Sequence, residues 1–441
     1  MALPHNGGRR REKMITIKNA AADLIREPLL HPFGFKGGNV SELWQSMVQL
    51  ESSSYKSLGL GIQSVLWSDA KVFAENCPAG GNAVMFAMTC HAAKLLKGMT
   101  FENPEELLDR LLPPVLEYGK LISDCPSMRM TFALNALVPV DLAAWVLYAR
   151  DNNFVSFDDI IPGYARGAMK RRHGELSKIP LITYGLGSED IEKILSDGSF
   201  VLKIKIGSDP EGDGDANKML SWDKSRLGLI HELADRYSSE HTDSGKIAYY
   251  LDANGRYPDK DTLLRLLDHA DKIGALDRIV LLEEPFDELN EVDVHDIPVR
   301  IAADESAHCA ADAVRRIELG YGAIALKPIA KTLTMSFRIL NEAYKRNIPC
   351  FCADLTVTPI MLEWNKNFAS RLAPLPGLRT GVVESNGDQN YVRWEELCSY
   401  HPLRGASYIT PVGGAFQLGD EFYRDSGGIF LDSEYYNSLF R

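Results

Sequence analysis

Acidic and basic side chains recur at the ends of short apolar segments in the second half of the chain. The segment "VLKIKIG" carries Lys203 and Lys205 two residues apart, so both point to the same face of a strand. The segments that follow end in further ionisable groups: Asp252, Glu283, Glu284, Asp304, Glu305, Lys327, Asp354 and Glu384. Because unpaired charge is costly to bury, acids flanked by lysines indicate a shared divalent cation and an anionic substrate.

The predicted cation follows from the ligand chemistry. Carboxylate oxygens without nitrogen or sulfur partners favour Mg²⁺, and Mn²⁺ meets the same preference. Zinc is disfavoured because the ten histidines do not cluster. Taken singly, each group also has a structural explanation: an Asp before Asn-Gly forms a turn, and a Lys-x-Lys pair protects an edge strand from aggregation.

Eight apolar segments from about residue 179 onward must position these groups. They are "IPLITYGL", "FVLKIKIG", "KIAYYLDANG", "RIVLLEEP", "VRIAADES", "AIALKP", "PCFCADL" and "TGVVESNG". Amphipathic helical patterns separate most of them, and this alternation predicts a parallel sheet. Eight repeats favour a (β/α)₈-type barrel, whose functional groups lie at the carboxyl ends of the strands. The alternative is an open, doubly wound sheet, for which "YGLGSED" is a poor phosphate turn.

The rest of the chain is organised around this barrel. We predict one domain over residues 14–178, the barrel over 179–395, and a segment over 396–441 that returns to pack on the first domain. The polar connection after the second strand is predicted to hold one helix, "SRLGLIHELADRY".

Composition restricts the class of partner. A net charge of −12 over 441 residues argues against nucleic acid or an anionic membrane as the main partner. The seven cysteines are scattered without a CxxC pair, which indicates reduced thiols in a cytoplasmic protein. We recognise no signal peptide and no membrane-spanning run in the sequence.

The combined motifs resemble a known family. Lys-x-Lys at 203–205, Asp-x-Asn at 252–254, Glu-Glu-Pro at 283–285, Asp-Glu-Ser at 304–306 and Lys327 follow the order of the enolase superfamily. The similarity is closest to its muconate-lactonizing-enzyme-like branch (the mandelate racemase/muconate lactonizing enzyme family). It spans roughly residues 28–400. It implies a modified (β/α)₇β TIM-type barrel with an α+β capping domain completed by the C-terminal segment.

The resemblance also implies roles for individual residues. Strand alternation leaves Glu283 and Glu284 open as the metal ligand on the fourth strand, and the family pattern selects Glu283. The implied set is as follows: metal ligands Asp252, Glu283 and Asp304; catalytic lysines Lys205 and Lys327; substrate contacts Lys203, Asn254 and Glu384; and Glu305 supporting the metal ligands. Lys203 is expected to lower the pKa of Lys205 by repulsion between like charges. The cap segments "HPFGFKGGN" and "SDAKVFAENCPAGGNAV" are expected to be loops that close over the site.

The implied reaction is Mg²⁺-dependent removal of the α-proton of a carboxylate substrate to give an enediolate, the chemistry general to this superfamily. Two lysines on opposite sides of the site indicate 1,1-proton transfer, and therefore a racemase or epimerase. The same pattern serves syn-elimination and cycloisomerisation, as in o-succinylbenzoate synthase and muconate cycloisomerase, so both remain alternatives. An acid-sugar dehydratase ranks lower, because "CFCADL" lacks the expected His.

Two further expectations concern binding and assembly. Dipeptide epimerases carry an Asp-x-Asp pair after the eighth strand, for which Glu384 and Asp388 are differently spaced substitutes. Outside the enzymes, the alternative is a non-catalytic barrel that binds a metabolite. The family commonly forms dimers or octamers, so a homo-oligomer is expected.

Overall fold

The computed structural model describes residues 13–35 and 38–440. Its N-terminal part is built on antiparallel strands, of which β2, β3 and β4 form one sheet and β1 pairs with β5. These strands are β1 (Ile15–Thr16), β2 (Asn19–Phe35), β3 (Gly38–Glu51), β4 (Lys56–Gln63) and β5 (Thr100–Phe101). The helices of this part, called the cap below, are α1 (Val65–Ser68), α2 (Ala70–Leu96), α3 (Pro104–Ser123), α4 (Met130–Asn152) and α5 (Phe157–Ile160).

Helix α4 is the core of the cap. Every residue from Thr131 to Ala149 is buried, because the helix is apolar on all sides and packs against β3, β4, α2 and α3. Among the described residues it is the one helix long and apolar enough to cross a membrane, and 94% of its apolar window lies inside the protein. Gly59 on β4 permits its close approach, since a Cβ there would lie 2.0 Å from the carbonyl oxygen of Pro139.

The predicted loops of the cap are largely regular structure. "HPFGFKGGN" lies at the turn of the β2–β3 hairpin, whose strands run to Phe35 and from Gly38, while residues 36–37 fall outside the described ranges. "SDAKVFAENCPAGGNAV" forms most of the first half of α2. That helix is kinked where Cys77 takes a positive φ of 55°. The loop prediction was therefore wrong for the second segment, because Pro78 restarts a helix after the kink instead of ending it, whereas the first segment has its described residues in the two strands of the hairpin.

The second part is a curled parallel sheet. Its strands are β6 (Glu175–Ile179), β7 (Leu181–Ile182), β8 (Val201–Lys205), β9 (Ala248–Asp252), β10 (Ile279–Glu283), β11 (Ile301–Ala303), β12 (Ala323–Leu326), β13 (Cys350–Cys352) and β14 (Gly381–Glu384). They are hydrogen-bonded in the order β6-β14-β13-β12-β11-β10-β9-β8-β7. Because β6 and β7 are one segment interrupted at Pro180, the two ends of this order meet and the sheet closes into the predicted barrel.

Helices connect most of these strands on the outside. They are α6 (Ser188–Ser196), α7 (Ala216–Ala234), α8 (Lys260–Lys272), α9 (Ala310–Glu318), α10 (Leu333–Lys345) and α11 (Pro359–Ala369). The connection from β10 to β11, residues 284–300 and described throughout, contains no helix, and a 3₁₀ turn (Leu276–Arg278) precedes β10. Helix α7 begins earlier than the predicted "SRLGLIHELADRY", because the Asp215 side chain caps it by accepting from the backbone N–H of Asn217 and Lys218.

The part of the chain that follows β14 touches both parts. It contains α12 (Gly387–Asn390), α13 (Trp394–Ser399), β15 (Ala415–Gln417), α14 (Asp420–Asp425), a 3₁₀ turn (Ser426–Gly428) and α15 (Glu434–Ser438). Strand β15 pairs antiparallel with β6 of the barrel. On the cap side, the Tyr436 hydroxyl donates to Gln45 Oε1 at 3.0 Å.

Candidate active site

The barrel brings the predicted catalytic and metal-binding side chains to one end. Lys205, Asp252 and Glu283 are the last residues of β8, β9 and β10, and they are register neighbours across the three strands. Asp304 and Lys327 directly follow β11 and β12. Since all five strands are parallel, their carboxyl ends lie at the same edge of the sheet.

The two predicted catalytic lysines come from opposite sides of the barrel. With β6 and β7 counted as one strand, β8 and β12 are the second and sixth of eight strands, and β9, β10 and β11 lie between them. The three predicted metal ligands therefore occupy the arc between the two lysines.

Lys203 is buried among carboxylates. Its Nζ lies 3.0 Å from Asp252 Oδ2, 2.9 Å from Glu283 Oε2 and 3.0 Å from Glu384 Oε2. It also lies 4.7 Å from the ring centre of Tyr250, a cation–π contact. Burial lowers the pKa of Lys203, but the three carboxylates outweigh this effect and raise that pKa well above its usual value. Lys203 is therefore a fixed positive charge at the centre of the site.

Lys205 shares one carboxylate with Lys203. Its Nζ lies 2.6 Å from Asp252 Oδ2 and also donates to Asn254 Oδ1. Asn254 connects the lysine to the next acid, since its Nδ2 donates to Glu305 Oε1 at 2.9 Å. Burial raises the pKa of Asp252, but the two ammonium groups outweigh burial and lower it to about 2. Asp252 is therefore ionised across the physiological range.

Lys327 is held against Asp304 and a cap residue. Its ammonium group pairs with Asp304 Oδ2 and lies 4.4 Å from the ring centre of Trp67. A second lysine, Lys331, contacts the same aspartate, with its Nζ 3.2 Å from Oδ1. Burial raises the pKa of Asp304, but Lys327 and Lys331 outweigh it and hold that pKa well below its usual value.

The geometry distinguishes the two consecutive glutamates, between which strand alternation could not choose and of which the family pattern selects Glu283. Glu283 faces the barrel interior, where its Oε2 accepts from the Tyr250 hydroxyl. Glu284 has a positive φ of 39°, and its Oε1 accepts from the backbone N–H groups of Asp304 and Ser306 at 2.6 and 2.9 Å. Burial, followed by the charge of Glu305, raises the pKa of Glu284 to about 7. Glu284 therefore holds the turn after β11, which supports Glu283 as the metal ligand.

The carboxylates present fit a divalent cation. One oxygen each from Glu283, Asp304 and Glu305 lies within 4.8 Å of the others, and all three residues are buried. Glu283 Oε1 is buried without a hydrogen-bond partner among residues 13–35 and 38–440. The cluster includes Glu305 and omits Asp252, whose Oδ2 faces two ammonium groups instead. This oxygen-only donor set suits Mg²⁺.

Strand β14, the eighth strand of the barrel, contributes Glu384 next to Lys203. Glu384 Oε2 accepts from Lys203 and from the backbone N–H of Asp354 at 3.0 Å each. Asp388, considered above as its partner for a substrate ammonium, pairs instead with Lys178 on β6 and does not line the cavity described below. His308, which precedes α9, contacts Thr131 and stays outside that cavity as well.

A cavity lies above the strand ends. Its floor holds Lys203, Lys205, Asp252, Asp304 and Lys327, all residues singled out from the sequence. The cap closes the cavity with side chains from β2, β3 and α1–α2: Leu29, Val40, Leu43, Leu66, Trp67 and Phe73. Cap and barrel therefore jointly enclose the space in which a substrate would sit.

Sequence reasoning did not single out three residues of the site. Tyr250 had a signal, because it lies two positions before Asp252 in a strand and so shares its face. Lys331 follows Lys327 in "KPIAK", but a second lysine in a loop has no distinctive pattern. Trp67 lies far from the barrel in sequence, and only the packing of cap on barrel brings it to Asp304.

No known protein-family profile matches this chain, and no curated protein matches it by sequence. Solved structures do match it. A mandelate racemase/muconate lactonizing protein from Herpetosiphon aurantiacus is 18% identical, with a TM-score of 0.63 and coverage of 92% of this chain and 96% of that one. A dipeptide epimerase from Enterococcus faecalis V583, complexed with Mg and the dipeptide L-Leu-L-Tyr, is 17% identical, with a TM-score of 0.59 and coverage of 83% and 90%.

An N-succinyl Arg/Lys racemase from Bacillus cereus is also similar, at 15% identity and a TM-score of 0.61, with coverage of 86% of this chain and 89% of that one. The solved structures that share the architecture thus include racemases and epimerases. At these identities the likeness establishes the fold and leaves the substrate open. The chain has the fold of the mandelate racemase/muconate lactonizing enzyme proteins, as its sequence motifs predict.

Proposed function

We propose that this protein is a divalent-metal-dependent racemase or epimerase of the enolase superfamily, acting on the α-carbon of a carboxylate substrate. The observation that carries the proposal is the placement of Lys205 and Lys327 on opposite strands of the barrel, on either side of one carboxylate arc and facing one cavity. The related structures of racemases and epimerases support this interpretation.

The two lysines would act on opposite faces of the substrate α-carbon. Lys205 removes the α-proton from one face of the substrate, and Lys327 delivers a proton to the opposite face, which inverts the α-carbon. In the reverse direction the lysines exchange roles. Lys203, which is fixed by three carboxylates, supplies constant positive charge near the substrate carboxylate.

Asp252, Glu283 and Asp304 would hold the metal, with Glu305 next to them. When bound, Mg²⁺ would stabilise the negative charge that develops on the substrate oxygens as the α-proton leaves. Tyr250 and Asn254 orient this set, since Tyr250 donates to Glu283 and Asn254 bridges Lys205 and Glu305.

The test is deuterium exchange at the α-carbon. The protein is incubated with Mg²⁺ in D₂O and a pool of dipeptides, N-acyl amino acids, acid sugars and succinylbenzoate precursors, and the products are analysed by mass spectrometry and chiral chromatography. We expect exchange with inversion. Lys205→Ala and Lys327→Ala should both lose inversion, and each should retain exchange of only one stereoisomer, opposite for the two variants.

A matched control comes from the same barrel. Lys178 lies on β6, pairs with Asp388 and stays outside the cavity, so Lys178→Met should leave exchange unchanged. Loss of water or ring closure would instead identify a lyase or a cycloisomerase. Absence of both exchange and Asp252-dependent Mg²⁺ binding would overturn the catalytic proposal.

A further inference from the structure

The charges of the cavity are distributed unevenly. The positively charged residues that line it, among residues 13–35 and 38–440, are Lys203, Lys205 and Lys327. All three lie at the floor, and each is already paired with at least one carboxylate. A substrate carboxylate therefore finds compensating charge only at the strand ends, next to the proposed metal ligands.

The cap side of the enclosure is mostly apolar, and apart from Glu42 its polar residues, Gln63, Ser64 and Asn82, are uncharged. Leu29 of β2, Leu43 of β3, and Leu66 and Phe73 of the α1–α2 region form the cap side. Leu181 and Leu355 continue this surface on the barrel side. Leu29 and Leu43 are only 8% and 6% exposed, so a substrate group that contacts them is largely removed from water. Such a surface stabilises the binding of a hydrocarbon group, because apolar area is removed from water. It does not stabilise the binding of a charged group.

The acids away from the floor supply no positive partner for an anion. Asp354 lines the cavity, and its two oxygens accept from the backbone N–H groups of Val357 and Asn386 at 3.3 and 2.9 Å. Glu42, at the cap edge, is paired with Arg26 and accepts from Trp44. Burial and the charge of Glu384 raise the pKa of Asp354 to about 7, and Glu42 is neutralised by Arg26, so neither acid offers a second substrate carboxylate a compensating positive charge.

Building on the proposed function, we infer that the substrate carries a single carboxylate, the reacting one, and an uncharged apolar body that contacts the Leu29–Leu43–Leu66–Phe73 surface. Diacids are the excluded class. The residues that line the cavity therefore distinguish monocarboxylate from dicarboxylate substrates, a distinction that the barrel motifs do not make.

A matched pair of probes tests the inference. N-acetyl-leucine and N-acetyl-aspartate have nearly the same shape, because an isopropyl group replaces a carboxylate. In D₂O with Mg²⁺, the C–H bond at the α-carbon breaks and a C–D bond forms. We expect kcat/KM for N-acetyl-leucine to exceed that for N-acetyl-aspartate by about 100-fold or more, since the second carboxylate would be buried unpaired. Equal rates, or faster exchange of the aspartate derivative, would overturn the inference.

Adjacent residues of β2 provide a variant and its control. Leu29 lines the cavity, whereas Leu30 is 49% exposed. Leu29→Arg should reduce the preference for N-acetyl-leucine over N-acetyl-aspartate at least 10-fold, because the arginine gives the second carboxylate a partner. Leu30→Arg should leave this preference unchanged. Leu29→Gln, which removes apolar surface without adding charge, is a second variant in case Leu29→Arg misfolds. It should lower kcat/KM for N-acetyl-leucine and leave kcat/KM for N-acetyl-aspartate unchanged.

A binding measurement separates this inference from the proposed function. 4-Methylpentanoate and succinate form the same isopropyl-for-carboxylate pair, and neither needs to react. Calorimetry on the Mg²⁺-loaded protein should show tighter binding of 4-methylpentanoate. That preference without exchange of any substrate would uphold the single-carboxylate inference and overturn the proposed reaction. Tighter binding of succinate, or binding of neither compound, would overturn the inference even if exchange were observed.

Discussion

The indole Nε1 of Trp67, a cap residue, donates to Oδ2 of Asp304 at the end of β11, across 3.3 Å. The face of the same ring lies 4.4 Å from the ammonium group of Lys327. The position of Trp67 is fixed from within the cap, because Asn135 of α4 accepts from the backbone N–H of Ser64 at 2.9 Å. One cap side chain thus orients both a proposed metal ligand and a proposed catalytic lysine.

Replacing this indole should weaken metal binding without unfolding the protein. Trp67→Phe keeps an aromatic face for Lys327 but removes the donor to Asp304. Because groups that orient metal ligands typically contribute 10- to 100-fold to affinity, we expect Mn²⁺ to bind about 10-fold more weakly. Electron paramagnetic resonance of free Mn²⁺ measures this directly. Trp44→Phe is the control, since Trp44 donates to Glu42 instead. Unchanged affinity in Trp67→Phe would refute the orienting role.

The carboxylates of the arc should couple metal binding to stability. A ligand at one hundred times its dissociation constant raises the free energy of unfolding by about 2.7 kcal/mol. We expect saturating Mg²⁺ to stabilise the protein by this order, and Asp252→Asn, Glu283→Gln and Asp304→Asn each to remove the effect. Asp213→Asn, in the exposed acidic loop after β8, should retain it. Urea unfolding with and without Mg²⁺ checks the prediction, and a full Mg²⁺ response in all three variants would contradict it.

Asp141 should make stability depend on pH. Burial outweighs its hydrogen bonds from Thr334 and Leu333 and raises the pKa of Asp141 to about 7, against about 3.9 in an unfolded chain. The folded protein therefore holds a proton that the unfolded chain releases. The contribution of Asp141 to the free energy of unfolding therefore falls as the pH rises from about 4 to 7, by at most about 1.4 kcal/mol per pH unit.

Asp141→Asn should remove this slope, because the amide does not ionise. Urea unfolding at pH 5 and pH 7 measures the difference, and the exposed Asp243→Asn serves as the charge-matched control. A variant with the same pH dependence as the parent protein would show that Asp141 does not titrate in this range.

Two glycines should respond oppositely to alanine. A Cβ on Gly59 would lie 2.0 Å from the carbonyl oxygen of Pro139 and 2.4 Å from the backbone nitrogen of Ala143. Because backbone must then move, we expect Gly59→Ala to destabilise by about 1–3 kcal/mol or more. Gly228 lies in α7, and a Cβ added there would have no neighbouring atom within 4 Å. Gly228→Ala should therefore stabilise by about 1 kcal/mol through helix propensity. Thermal unfolding compares the two, and a stable Gly59→Ala would disprove the tight β4–α4 contact.

Much of the barrel could be predicted because its signals are local. Most strands are short, largely apolar runs, and the strand period of two fixes which residues share a face. Lys203 and Lys205 therefore had to point the same way, and both line the cavity. The order of acids and lysines along the chain then gave their order around the barrel, since neighbouring parallel strands follow one another in sequence.

The sequence alone determined the alternating strands and helices, the end of the barrel that carries charge, and the succession of lysine, acids and lysine along it. Only the tertiary structure decided that Glu283 faces inward while Glu284 holds a turn, that Lys331 joins Asp304, and that Trp67 and Leu29 close the cavity. The physical reason is distance along the chain. Local periodicity sets the direction of a side chain within its own strand, whereas contacts between cap and barrel depend on how two separately patterned surfaces pack.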